Sequence, residues 1–129
     1  MNAPKWVSPL FWLAAAYDGI LGILFLAAPG FVYAKFNIEP PNHFGYVQFP
    51  AALLLIFALM FIAVARNPIA NRGLIVYGIL LKVAYTSLTA YYWLTTDIPM
   101  IWKPFMWIDL VMGGLFVAAY AALKPSSGR

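Results

Sequence analysis

The chain has no cysteine and a single histidine, His43, in 129 residues. The first absence excludes a disulfide framework, a thiolate metal site and a cysteine nucleophile. The second leaves too few ligands for a His-rich metal site or a bis-histidine haem within one chain. Charge is scarce as well. Only 9% of the residues are charged and 64% are hydrophobic, with a mean hydropathy of +0.83. A soluble domain carries about 25% charged residues, so this sequence cannot supply the polar surface a water-soluble core of its size requires. The sequence signatures of catalysis are missing too: there is no HExxH pair, no serine elbow and no glycine-rich phosphate loop. No catalytic residue, cofactor or metal is therefore assigned. The net charge of +4 is spread over chain ends and short loops. It reads as topology information, and no nucleic-acid partner is expected.

What is present is a set of long apolar runs. They cover residues 10–32, 44–65, 73–94 and 104–123. Runs of roughly 20 residues at about 1.5 Å per residue match a hydrocarbon core of about 30 Å. Helices satisfy their own backbone groups in lipid. The expected fold is all-α: a single four-span membrane domain over 1–129, folded as a four-helix bundle in the lipid bilayer. Lys5 ahead of the first run raises the possibility of a signal peptide, but the run is too long for an h-region and holds Asp18 at its middle. A retained helix is expected, ended or bent at Pro29-Gly30. Residues 33–43 read as a loop around Pro40-Pro41. Pro50 lies near the start of the second run, where a missing backbone donor matters least.

Alternating runs and loops put both ends of the chain on one side. That side holds Lys5, Arg66, Arg72, Lys124 and Arg129, and the other holds Lys35 and Lys103 with Glu39 and Asp97. The bias predicts both termini in the cytoplasm of a bacterial-type inner membrane. Trp6, Trp12, Trp93, Trp102 and several tyrosines fall near the expected interfaces, as aromatic belts do.

The stretch from Gly73 to Leu94 carries one charge, Lys82, near its middle. An ammonium at a helix centre costs roughly 2.5–3.5 kcal/mol on insertion scales, so a partner is required. The other ionisable groups inside apolar runs are Asp18 and Asp109. Counted from the cytoplasmic ends, Asp18 and Lys82 both lie about 12–14 Å deep and Asp109 about 21 Å, within reach of a long lysine side chain. The expectation is an Asp18–Lys82–Asp109 network inside the bundle. Two acids and one base leave one negative charge unmatched.

An internal echo supports close packing at both acids. YDGILGILFLAA at Tyr17–Ala28 and IDLVMGGLFVAA at Ile108–Ala119 share Asp, Gly four on, Phe seven on and a closing Ala-Ala. Each aspartate thus has a glycine one turn later on its own face, where a neighbouring helix can approach. On the third run, Gly78, Lys82, Tyr85, Thr86, Thr89 and Trp93 follow helical steps and form a polar face. Gln48 is a facing candidate, and His43, Tyr46, Asp97 and Trp102 would rim the outer mouth. Two readings follow. In one, Gln48, Tyr85, Thr86, Thr89, Trp93, Trp102 and His43 line a half-buried cavity for a small amphipathic ligand, a quinone-like headgroup or a proton. In the other, the charges fix helix register, the hydroxyls bond between helices, His43 is solvated and the tryptophans are interface anchors.

Four short helices, cytoplasmic termini, a first helix reading GILGILFLAAPG, and an acid and a lysine inside the bundle are similar to small bacterial DoxX-like membrane proteins. The resemblance covers most of the chain and implies an inner-membrane protein, in some cases an accessory partner of an oxidoreductase. It carries over no site residues. The leading functional expectation is a non-catalytic accessory subunit of a larger membrane complex, or a small-ligand-binding membrane protein. One alternative is a homo-oligomeric proton- or ion-coupled transporter using a protonatable Asp109. Another is a membrane enzyme component that depends on a partner's cofactor.

Overall fold

The computed structural model describes residues 3–123. Lys124 and Arg129, which contribute to the charge bias, lie outside the described residues. The described residues form helices joined by short loops, with no strand. Its elements are α1 (Val7–Ala27), α2 (Pro29–Lys35), α3 (Gly45–Arg66), a 3₁₀ turn (Arg72–Leu74), α4 (Ile75–Thr95) and α5 (Trp102–Ala122). Four segments are long and apolar enough to cross a membrane: α1, α3, α4 with its leading 3₁₀ turn, and α5.

The first apolar run is broken where proline chemistry dictates. Ala28 leaves the helical region, at φ −141° and ψ 51°, because the ring of Pro29 disfavours an α conformation in the residue before it. Pro29 then opens α2, where its missing N–H costs nothing. So Tyr33 to Lys35, expected in a loop, are helical. α2 closes with the Ile38 N–H donating to the Tyr33 carbonyl and the Asn37 N–H to the Ala34 carbonyl. Asn37 takes the left-handed conformation at φ 54°, which makes this a Schellman cap with asparagine in the place glycine usually holds. Pro50 sits deeper in its helix than the sequence suggests. α3 starts at Gly45, so Pro50 lies inside it, and the Tyr46 carbonyl loses its helical donor.

Side-chain donors close several helix ends. The Gln48 amide donates to the Leu26 carbonyl at 3.1 Å, and the Asn71 amide to the Ala63 carbonyl at 2.9 Å. Thr95 and Thr96 hydroxyls donate to the Tyr91 and Tyr92 carbonyls. Arg72 Nε donates to the Tyr120 carbonyl at 2.9 Å, and its guanidinium lies 3.6 Å from the centre of the Tyr120 ring. That residue ties the turn between α3 and α4 to the end of α5, where a cation also meets the negative end of the helix dipole.

α1 packs along α3 and α4 along α5, while the two pairs approach each other only sparsely. Gly22 makes the first pairing close: a Cβ there would lie 2.8 Å from the Ala51 carbonyl oxygen. One buried cluster holds Val7, Phe11, Phe61, Ala65, Ile75, Phe116 and Leu123. It joins the start of α1, the end of α3, the start of α4 and the end of α5, so the four long helices alternate in direction. A second cluster at the opposite end holds Phe25, Val32, Tyr33 and Ala51, with Trp102 against it. The outer faces are apolar. Leu59 is 67% exposed, Ile20 66%, Val111 61% and Leu88 60%, which leaves far more apolar surface open than a soluble monomer tolerates.

Candidate functional site

Between the two clusters lies the charged centre. Lys82 on α4 is 1% exposed, and its Nζ donates to Asp18 Oδ1 on α1 and Asp109 Oδ1 on α5, each at 3.1 Å. Asp18 is 1% exposed and Asp109 7%. Three helices thus meet at one ammonium. The lysine stem fits against α5 because residue 113 is glycine: a Cβ there would lie 3.2 Å from Lys82 Cβ. Lys82 Nζ also lies 5.3 Å from the Tyr17 ring centre and 5.9 Å from that of Phe61. Burying these groups is costly, and their geometry and number of hydrogen bonds decide how much of the cost is recovered.

On the side of the chain ends, the centre rests on a phenylalanine layer. Phe11 and Phe116 stack at 4.7 Å, and Phe61 meets Phe116 at 5.2 Å and Phe11 at 5.9 Å. All three are fully buried. Phe11 and Phe116 each stand seven residues from the aspartate of their own helix, about 10 Å along the axis. No water-sized gap is expected through rings so closely packed.

On the other side the centre faces a cavity of about 450 Å³, within the range of small-molecule sites. Asp18 and Asp109 form its polar floor. Leu21 and Phe25 of α1, Pro50, Leu54 and Phe57 of α3, Tyr85 of α4, Trp102 and Phe105 of α5, and Tyr33 of α2 are among its walls. Tyr46, Pro50 and Leu53 line it while being exposed, so it opens along α3, at the side of the bundle. Two polar atoms on this face have no hydrogen-bond partner although they are buried: Asp18 Oδ2 and the Tyr17 hydroxyl. A buried acceptor without a donor is rare enough to require a cause. The Tyr85 hydroxyl donates to the Trp102 carbonyl at 3.1 Å, bracing α4 on α5 at the cavity wall. Burial raises the Tyr33 hydroxyl above the usual tyrosine range.

No protein-family model, no curated protein and no solved structure matches the chain. The functional reading therefore rests on this geometry.

The residues proposed from sequence as a lining fall in different places. Tyr85 and Trp102 line the cavity, as does Tyr46 from the expected rim. Gln48 turns to the end of α1. Thr86 Oγ1 is buried without a partner and is not in the cavity wall, and neither is Thr89. Trp93 packs edge-on to Trp107 and under Lys103. His43 is exposed, its Nδ1 accepting from the Gly45 N–H at the start of α3. Asp97 is exposed.

The lining residues that sequence reasoning passes over include Leu21, Phe25, Tyr33, Phe57 and Phe105. Helical steps from the charged positions would have found several of them. Three and seven residues on from Asp18 are Leu21 and Phe25. Four residues back from Asp109 is Phe105.

Proposed function

We propose that this protein is a non-catalytic, small-ligand-binding component of a bacterial inner membrane, inserted as a four-span bundle with both termini in the cytoplasm. The four apolar helices support insertion, since their outer faces would otherwise be open to water. The excess of Lys5, Arg66 and Arg72 at the end where α1 begins supports the orientation. In that frame the cavity lies on the extracytoplasmic side of the charged centre and opens sideways toward acyl chains. The ligand would be amphipathic, with its apolar body against the aromatic walls and its polar end on the acidic floor.

One observation carries this reading: a cavity of about 450 Å³ adjoins the charged centre, with the Asp109 side chain 10% exposed at its floor. A structural ion pair alone does not require an adjoining cavity with open hydrogen-bonding capacity. The resemblance of the sequence to DoxX-like proteins fits an accessory role beside an oxidoreductase, with the cavity holding or passing a lipid-soluble molecule.

The test is native mass spectrometry of protein extracted in mild detergent, beside a Leu54→Trp variant that fills the cavity. Wild type should retain one small amphipathic molecule per chain, and the filled variant should lose it. Equal occupancy in the two would refute the reading. Extraction should also bring a larger complex with the chain if it is an accessory subunit; a solitary chain would count against that role.

A further inference from the structure

The cavity floor has a charge pattern that selects among amphipathic ligands. Two carboxyl groups share one ammonium, and Lys82 engages only Oδ1 of each. Among the described residues no second cation lines the cavity. One carboxyl therefore has no counter-ion of its own, and the site accommodates either a proton or a cation there. The acid open to the cavity is Asp109, whose side chain is 10% exposed with Oδ2 free of Lys82, while Asp18 Oδ2 and the Tyr17 hydroxyl are buried without partners.

The walls point the same way. Eight of the seventeen lining residues are aromatic. Ring faces attract cations and accept flat or branched apolar groups. A floor short of positive charge beneath aromatic walls disfavours an anion. It matches a donor that carries charge.

Resting on the reading of the cavity as a ligand site, we propose that the occupant is a monovalent organic ammonium with an apolar body. Its nitrogen docks on the free oxygen of Asp109, and its body lies between Phe25, Phe57, Tyr85 and Trp102. It enters sideways along α3, past Tyr46 and Leu53. The ammonium completes a centre of two anions and two cations, which Lys82 alone leaves unbalanced. Lys82 then fixes where the two carboxylates stand, and the ligand supplies the donor that Asp109 still lacks.

Three probes with one body and different heads test this: phenylbutylammonium, phenylbutanol and phenylbutanoate, titrated calorimetrically into the intact protein in lipid nanodiscs, with empty nanodiscs subtracted. The ammonium should bind at least about tenfold more tightly than the alcohol, a difference of about 1.4 kcal/mol, and the carboxylate should not bind. Asp18→Asn and Asp109→Asn each leave Lys82 one acid, so the surplus charge disappears while the lysine stays paired. In whichever of these folds, the preference for the ammonium should fall to within about twofold of the alcohol. Should neither fold, the wild-type series alone decides. Equal binding of the three probes, or preference for the alcohol or carboxylate, overturns the ammonium proposal and leaves the cavity as a ligand site. Failure of all three to bind overturns both.

Discussion

Gly113 and Lys82 face each other across the α4–α5 contact, with room for a hydrogen but not comfortably for a methyl group. A Cβ on Gly113 would stand 3.2 Å from Lys82 Cβ, whereas one on Gly114 would meet nothing within 4 Å. The neighbouring glycines therefore differ in what they allow. Gly113→Val should lower thermal stability in detergent by an overpacking cost of about 1–3 kcal/mol, and Gly114→Ala should leave it unchanged. Equal effects at the two positions would mean that α4 and α5 do not meet at this face.

Removing Lys82 should be worse than removing the whole network. Lys82→Met leaves Asp18 and Asp109 buried beside each other with no cation, a loss of about 3–5 kcal/mol for a broken buried pair. Adding Asp18→Asn and Asp109→Asn to Lys82→Met removes every formal charge at the centre and should restore most of that stability. Unfolding of the single and triple variants in the same detergent gives the comparison. Damage that persists in the triple variant would show that the centre contributes more than charge balance.

The chain's lack of cysteine makes its orientation easy to measure. Single cysteines placed by Lys5→Cys and Asn42→Cys report on opposite ends of the bundle, and both positions are exposed. In intact cells a membrane-impermeant maleimide should label the second and not the first. Labelling only at position 5 would invert the topology and put the cavity on the cytoplasmic side.

The division between what sequence reveals and what it hides follows physical lines. The apolar runs are legible because lipid-facing and core-facing positions are both apolar, so span length survives any error about helix rotation. Lys82 and its two acids are legible because a lone charge in such a run must find a partner, and depth counting leaves few choices. The break at Ala28 needed only the rule for residues before proline. Asn37 at the end of α2 gives no such sign, since asparagine is common in loops of every kind. The cavity walls depend on how the helices pair. The polar stripe of α4 suggested a lining, but α4 packs mainly along α5, and Thr86, Thr89 and Trp93 are absent from the cavity wall. Rotation about a helix axis is set by tertiary contacts, and an apolar helix has too uniform a surface to announce it.

The phenylalanine layer beneath the charged centre bears on transport. With Phe11, Phe61 and Phe116 fully buried and in ring contact, the cavity is closed toward the end where the chain begins. Proteoliposomes containing the protein should therefore show no more proton or phenylbutylammonium flux than empty ones. Flux that Asp109→Asn abolishes in protein that still folds would require a second conformation in which this layer opens.

The most direct measurement is of the centre itself, by solid-state NMR in lipid bilayers with ¹⁵N-labelled lysine and ¹³C-labelled aspartate. Nζ of Lys82 should show dipolar coupling to the carboxyl carbons of both Asp18 and Asp109, as 3.1 Å contacts to their oxygens require. Exposed Asp97 should show none to that nitrogen. A Lys82 resonance without coupling to either buried aspartate would contradict the structure at its core.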